Sequence, residues 1–156
     1  MQYAFSHEIF KLLAKNIFKR IATKIRGQVS RMKQITVLSE NRVGALSDVC
    51  TELANVGVNI KSITAQGQGD YGIIRLVTED VNTAKKALEK AGFKLTVSDI
   101  IVVNLNDRPG EMAKIARKLS NAGVDVECIY ILGKEDDKVQ VAIKPSSIEH
   151  AMRALR

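Results

Sequence analysis

Laid over itself at an offset of 66, the chain matches in two separate stretches. Asn41-Arg42-Val43-Gly44 falls on Asp107-Arg108-Pro109-Gly110, and Asn55-Val56-Gly57-Val58-Asn59-Ile60 falls on Asn121-Ala122-Gly123-Val124-Asp125-Val126. A match held at one period means two copies of a single supersecondary unit. Each copy opens with a β-rich run, residues 35–38 and 100–105, followed by a glycine turn. Helical spacing comes next: Leu46, Val49, Leu53 and Val56 in the first copy, Met112, Ile115, Leu119 and Ala122 in the second. Gly57 and Gly123 stand where a helix ends in positive φ, ahead of β-type runs at 58–65 and 124–132. Polar loops at 66–70 and 133–137 lead to further runs at 73–78 and 139–143, a hairpin in both copies. A second helix follows, with Val81, Ala84, Leu88 and Ala91 inward in the first copy and Ile148, Met152 and Leu155 in the second. Residues 95–97 close the first unit. The order is βαββαβ, which predicts an α+β fold of two ferredoxin-like units in tandem, antiparallel sheets with helices on one face. At the same offset Arg156 matches Lys90, so the second copy ends before any closing strand and leaves a sheet edge to be covered.

Charge divides the chain differently. Its 24 Lys and Arg exceed its 17 Asp and Glu by seven, and residues 1–33 hold that whole excess, eight basic side chains against Glu8 alone. Residues 34–156 are formally neutral, which removes the broad phosphate-tracking surface of a nucleic-acid binder. The expected strands at 34–38 and 73–78 carry no aromatic for base stacking, and Tyr71 and Tyr130 read as packing residues with a polar tip. In the tail, Phe10, Leu13, Ile17, Ile21 and Ile25 recur at helical spacing while lysines take other faces, the pattern of a basic amphipathic helix. A competing reading starts the protein at Met32; both predict low order for residues 1–31. The domain expectation is therefore an extension at 1–33, a first unit at 34–98 and a second at 99–156.

Chemistry-bearing constellations are sparse. Neither His7 nor His150 forms a recognisable nucleophile arrangement with a thiol or hydroxyl, Gly67-Gln68-Gly69 lacks the rest of a phosphate loop, and Glu135-Asp136-Asp137 has no EF-hand spacing. Cys50 and Cys128 occupy non-equivalent positions of the repeat, matched by Ala116 and Ser62, and read as buried apolar residues of a reduced, cytoplasmic protein. No enzyme, cofactor or metal site is predicted. The glycine turns are different. Feeding a helix, each exposes backbone N–H groups and the positive end of the helix dipole, a spot that suits a carboxylate. Equally, Asn41 and Asp107 are candidate N-caps that satisfy those donors themselves, with Gly44 and Gly110 serving close packing.

Glu40-Asn41-Arg42-Val43-Gly44-Ala45-Leu46 and Asn106-Asp107-Arg108-Pro109-Gly110-Glu111-Met112, with the Gly-Val-Asn/Asp-Ile/Val entries that follow, resemble the ACT domain, a small regulatory module of amino-acid metabolism. The resemblance covers residues 34–155 and departs at Val43, where the family commonly has Pro, and at the missing last strand. It implies that small effectors such as amino acids lodge between paired domains beside this turn. Pairing of the two units through their second strands would set both turns, Asn59 and Asp125 around a groove. The site expected there comprises Asn41, Arg42, Val43, Gly44, Ala45, Leu46 and Asn59 from one copy. From the other come Asp107, Arg108, Pro109, Gly110, Glu111, Met112 and Asp125. Backbone N–H groups around residues 43–46 and 109–112 would hold a carboxylate, and Asn59 and Asp125 an ammonium. The functional expectation is a non-catalytic sensor of an amino acid or similar metabolite that signals to a metabolic enzyme or regulator. It forms a homo-oligomer, a dimer in the simplest case, with no nucleic-acid partner and membrane contact only through residues 1–31. The alternative is a constitutive assembly subunit without ligand response.

Overall fold

Strand alternation and helical stripes arrange residues 29–156, the part of the chain that the computed structural model describes, as six strands and four helices. In chain order these are β1 (Val29–Glu40), α1 (Ala45–Asn55), β2 (Ile60–Gln68), β3 (Tyr71–Thr78), α2 (Val81–Lys90), β4 (Lys94–Asn106), α3 (Glu111–Asn121), β5 (Val126–Glu135), β6 (Lys138–Pro145) and α4 (Ile148–Leu155). The tail helix expected from the sequence lies outside the described residues. All neighbouring strands are antiparallel, in the order β2-β3-β1-β4-β6-β5.

Two strands exceed their expected lengths: β1 has 12 residues and β4 has 13. Strand β4 passes through the expected boundary at 98/99, so the closing strand of the first unit and the opening strand of the second are one continuous element. Its first part, from Lys94, pairs with the end of β1, while Ile101 to Asn106 pair with β6. The start of β1 does the reciprocal job: Val29 to Lys33 lie along Val103 to Asp99. The edge expected to be bare in the second unit is therefore filled by residues that precede the first. Residues 29–31, assigned to a poorly ordered tail from the sequence, are strand, with Val29 packed on the second core and the Arg31 guanidinium bonded to Glu149 and Met152 of α4.

Alternation along these strands sorts their side chains onto two faces. Ile35 and Val37 join Val49, Leu53, Ile74, Leu76, Ala84 and Leu88 beneath α1 and α2. Ile101 and Val103 join Ile115, Leu119, Val141, Ile143, Ala151 and Leu155 beneath α3 and α4. Helix stripes are narrower than expected: Leu46, Val56 and Met112 are 40–44% exposed, and the buried positions of α1 include Ala45 instead. Ile100 and Val102 point away from the helices and pack with Val77, Ala142, Met32, Tyr130 and Leu132 in a third, inner cluster. The sheet curls around this cluster until its edge strands β2 and β5 approach one another. The Tyr130 hydroxyl donates to Gln34 Oε1 at 2.8 Å, tying β5 to β1 across the interior.

A bulge in β5 between Ile131 and Gly133 adds one residue to the second copy. Beyond it the repeat offset becomes 67: Ile35 faces Leu76 in the first unit, and Ile101 faces Ile143 in the second. Arg156 thus corresponds to Glu89, not Lys90, and the helix caps Asp80 and Ser147 fall into equivalent places.

Candidate functional site

The two turns end β1 and β4 and launch α1 and α3. Their helix N-caps are Gly44 (φ 92°) and Gly110 (φ 88°), and neither helix receives a hydrogen bond from a capping side chain. Left-handed geometry at this point is open to glycine and strained for other residues, which is why the repeat keeps Gly there. The N-cap role expected of Asn41 and Asp107 is not what the structure shows. Asn41 Nδ2 donates to the Gly69 carbonyl at 2.8 Å, and the Asp107 carboxylate pairs with Lys134, both partners belonging to the hairpin of the same unit. Backbone bonds run in parallel, from Asn41 N to Asp70 O at 2.9 Å and from Asp107 N to Asp137 O at 2.8 Å. Gly67 permits this approach, since a Cβ there would stand 2.9 Å from Asn41 Nδ2. With those side chains drawn to the hairpins, Ala45 N and Glu111 N bond back to Arg42 O and Arg108 O at 3.3 Å, and no side chain caps the remaining first-turn N–H groups at the positive end of each helix.

Around the first turn, Arg42 reaches over the helix start to Asp48 at 2.6 Å, Ala45 is nearly buried and Val43 is fully exposed. A cavity of about 430 Å³ opens beside it, with Glu40, Arg42, Ala45, Tyr71 and Phe93 among its walls. Tyr71, expected to pack, is 62% exposed at that rim. In the second turn, Glu111 bonds Lys114 Nζ at 2.6 Å, and this contact holds its carboxyl below the usual range. Arg108 and Pro109 are exposed, as is Met112.

Asn59 and Asp125 do not join these turns. Asn59 is exposed just ahead of β2, at the end of that strand remote from the hairpin that holds Asn41. Asp125 is likewise exposed ahead of β5, exchanging bonds with Ser146. The expected pairing of β2 with β5 inside one chain is not formed: the units are joined through β1 and β4, and β2 and β5 remain the two edges of the sheet, brought near one another by its curl without exchanging ladder bonds. The expected carboxylate and ammonium halves of the site therefore lie at opposite ends of each unit.

Elsewhere, the thiols Cys50 and Cys128 are free and half-buried rather than fully buried; Cys128 Sγ lies 3.8 Å from Gln34 Oε1. Among the described residues no three His, Cys, Asp or Glu side chains are grouped to hold a metal ion, and no helix is long and apolar enough to cross a membrane. Burial, chiefly, with the Cys128 thiol beside it, pushes the Tyr130 phenol up to about 12.

Comparison with known proteins agrees with the fold. A protein of Bacteroides thetaiotaomicron, BT0572, has a crystal structure that is 28% identical, covers 83% of this chain and 89% of its own, and superposes with a TM-score of 0.75. The ligand-free regulatory subunit of aspartate kinase from Thermus thermophilus shares the fold at 21% identity, over 81% of this chain and 93% of its own, with a TM-score of 0.61. The uncharacterised protein MJ0241 of Methanocaldococcus jannaschii is 29% identical over 68 residues, 44% of this chain and 42% of that protein, so the match spans less than half of that relative's length. The model of the ACT domain pair matches residues 30–144, from the strand that completes the second unit to the last strand of the sheet, and the chain belongs to that family.

Proposed function

We propose that the chain is a non-catalytic regulatory protein that binds an amino acid or a similar small metabolite and passes its occupied state to a metabolic enzyme. The observation that carries this reading is the pair of glycine turns whose helix starts no side chain caps, because Asn41 and Asp107 are engaged by the hairpins. A ligand carboxylate fits the N–H groups of Val43, Gly44 and Leu46 or of Gly110 and Met112, where the helix dipole favours negative charge. Its amino group falls to Asn59 or Asp125, and since each lies at the far end of its own unit, a second copy presenting β2 or β5 completes the site. Exposed Ile63, Ile129 and Ile131 on those edge strands, beside unpaired backbone groups, favour such an association. An enzyme as the target is supported by the use of this fold in the regulatory subunit of aspartate kinase. Binding then acts by population shift, favouring the assembly in which the two half-sites meet.

The test is the melting temperature of the full chain against the common amino acids at millimolar concentration. A ligand at a hundredfold excess over Kd stabilises the native state by about 2.7 kcal/mol. A selective rise that shrinks in Asn59→Ala or Asp125→Ala is expected. A rise unaffected by both substitutions would remove the site assignment, and no rise with any amino acid would favour the constitutive assembly subunit.

A further inference from the structure

The two units are copies, yet their inner sheet faces differ in a patterned way. In the second unit a row across three strands reads Tyr130, Ala142, Val102 and packs into the inner cluster. The equivalent row in the first unit, once the one-residue bulge is allowed for, reads Thr64, Arg75, Thr36, and continues across β4 to Thr96. Gln34 likewise stands where the second unit has Ile100, and its side chain is completely buried. Polar residues in a curled sheet interior are costly unless something pairs with them. Part of this set is satisfied internally: Gln34 Nε2 donates to Thr36 Oγ1 at 2.9 Å, and Gln34 Oε1 accepts from Tyr130. Thr64 Oγ1, directly across the strand pair from Arg75, is buried without a partner. The Arg75 guanidinium has neither an ion pair nor a side-chain hydrogen bond among the described residues.

Gln34, Thr36, Arg75 and Thr96 of this set border a cavity of about 330 Å³ between the first unit's inner face and the start of β5; Thr64 and Tyr130 are not among its lining residues. Gln34, Thr36 and Arg75 line one part of it, Lys94 stands at its rim, and Leu38 and Ile73 form an apolar wall. The acid present, Glu127, is neutralised by Lys144 at 2.6 Å, which leaves Arg75 and Lys94 without an ion-pair partner among the described residues. The basic tail is a poor occupant of such a space, since residues 1–28 carry six Lys and Arg against Glu8.

We propose that this inner cavity is a second ligand site, for a small organic acid with an apolar body and no amino group. The carboxylate pairs with Arg75, whose fork geometry matches it, and the apolar body rests on Leu38 and Ile73. An ammonium finds no free carboxylate there, so the class differs from the amino acid assigned to the glycine turns, and the cavity does not depend on a second copy of the chain.

The test is calorimetric titration of the full chain with isovalerate, with inorganic phosphate and leucine as comparison probes, in the wild type and in Arg75→Met and Arg75→Lys. Saturable isovalerate binding is expected, weakened at least about tenfold in Arg75→Met and partly kept in Arg75→Lys, with the Gln34 side-chain amide signal shifting on binding. Melting temperatures of both variants check that the fold persists. No saturable isovalerate binding to the wild type would overturn the proposal. So would equal binding in a folded Arg75→Met chain, or phosphate or leucine binding as tightly as isovalerate in an Arg75-dependent way. Asn59→Ala and Asp125→Ala are expected to leave isovalerate binding unchanged, which separates this site from the one at the turns.

Discussion

At the scale of single residues, the proposed function turns on what the short polar side chains at the ends of β1 and β4 are bonded to. Asn41 and Asp107 have the chemistry of helix caps, and nothing local distinguishes a cap from a hairpin clasp. The choice is made by the third-strand hairpin coming within reach, which is a tertiary event. Gly44→Ala forces a Cβ into left-handed backbone and is expected to cost about 1–2 kcal/mol, read as a lowered denaturant midpoint, and to weaken ligand binding at the first turn. Ser147 bonds His150 N at the start of α4, so Ser147→Ala is expected to cost about 1 kcal/mol by the same measurement. Tyr130 supplies a pH signature. Its phenol is raised from 10.0 to about 12, so the native state favours the protonated form. The associated stability is complete below pH 10.0 and is lost as pH climbs through about 12. Denaturant midpoints measured across that window should fall in the wild type and fall less in Tyr130→Phe.

At the scale of elements, the two long strands decide the architecture. The repeat, the helices and the hairpins are legible in the sequence because periods of two and 3.6 survive in residues such as Val49, Leu53, Ile115 and Leu119. The continuity of β1 and β4 is not legible. Lys33 and Gln34 in one strand, and Ser98 and Asp99 in the other, read as breaks in the apolar pattern. They sit instead where each strand passes from one pair of helices to the other: Lys33 bonds Asp99 at 2.8 Å and Gln34 turns inward. The inner polar row was hidden for a related reason, since Arg75 and Ala142 become equivalent only after the β5 bulge moves the repeat to 67. Because Val29 to Lys33 serve as the outer strand of the second unit, a chain starting at Gln34 is expected to lose about 2 kcal/mol or more, from the burial of Val29 and the ladder bonds to β4. Hydrogen exchange should show those β4 amides at 99–103 that point to β1 deprotected in that chain and unchanged in one starting at Val29.

At the scale of the whole molecule, two units that share their long strands and a common inner cluster cannot melt independently. Calorimetry of the described part is expected to give one transition whose calorimetric and van't Hoff enthalpies agree. The same coupling lets an event at one turn reach the other, because both turns terminate strands that run side by side through the centre of the sheet. The separation of each turn from Asn59 and Asp125 within one chain makes the proposed site a property of an assembly, with the turn from one copy and the edge-strand start from another. Such a site links occupancy to association by thermodynamic necessity. Sedimentation velocity of the full chain with and without the amino acid that raises its melting temperature tests this most directly. The ligand is expected to shift the chain towards dimer, with an apparent affinity that tightens as protein concentration rises. Binding to a chain that stays monomeric, with an affinity independent of protein concentration, would contradict the proposed site.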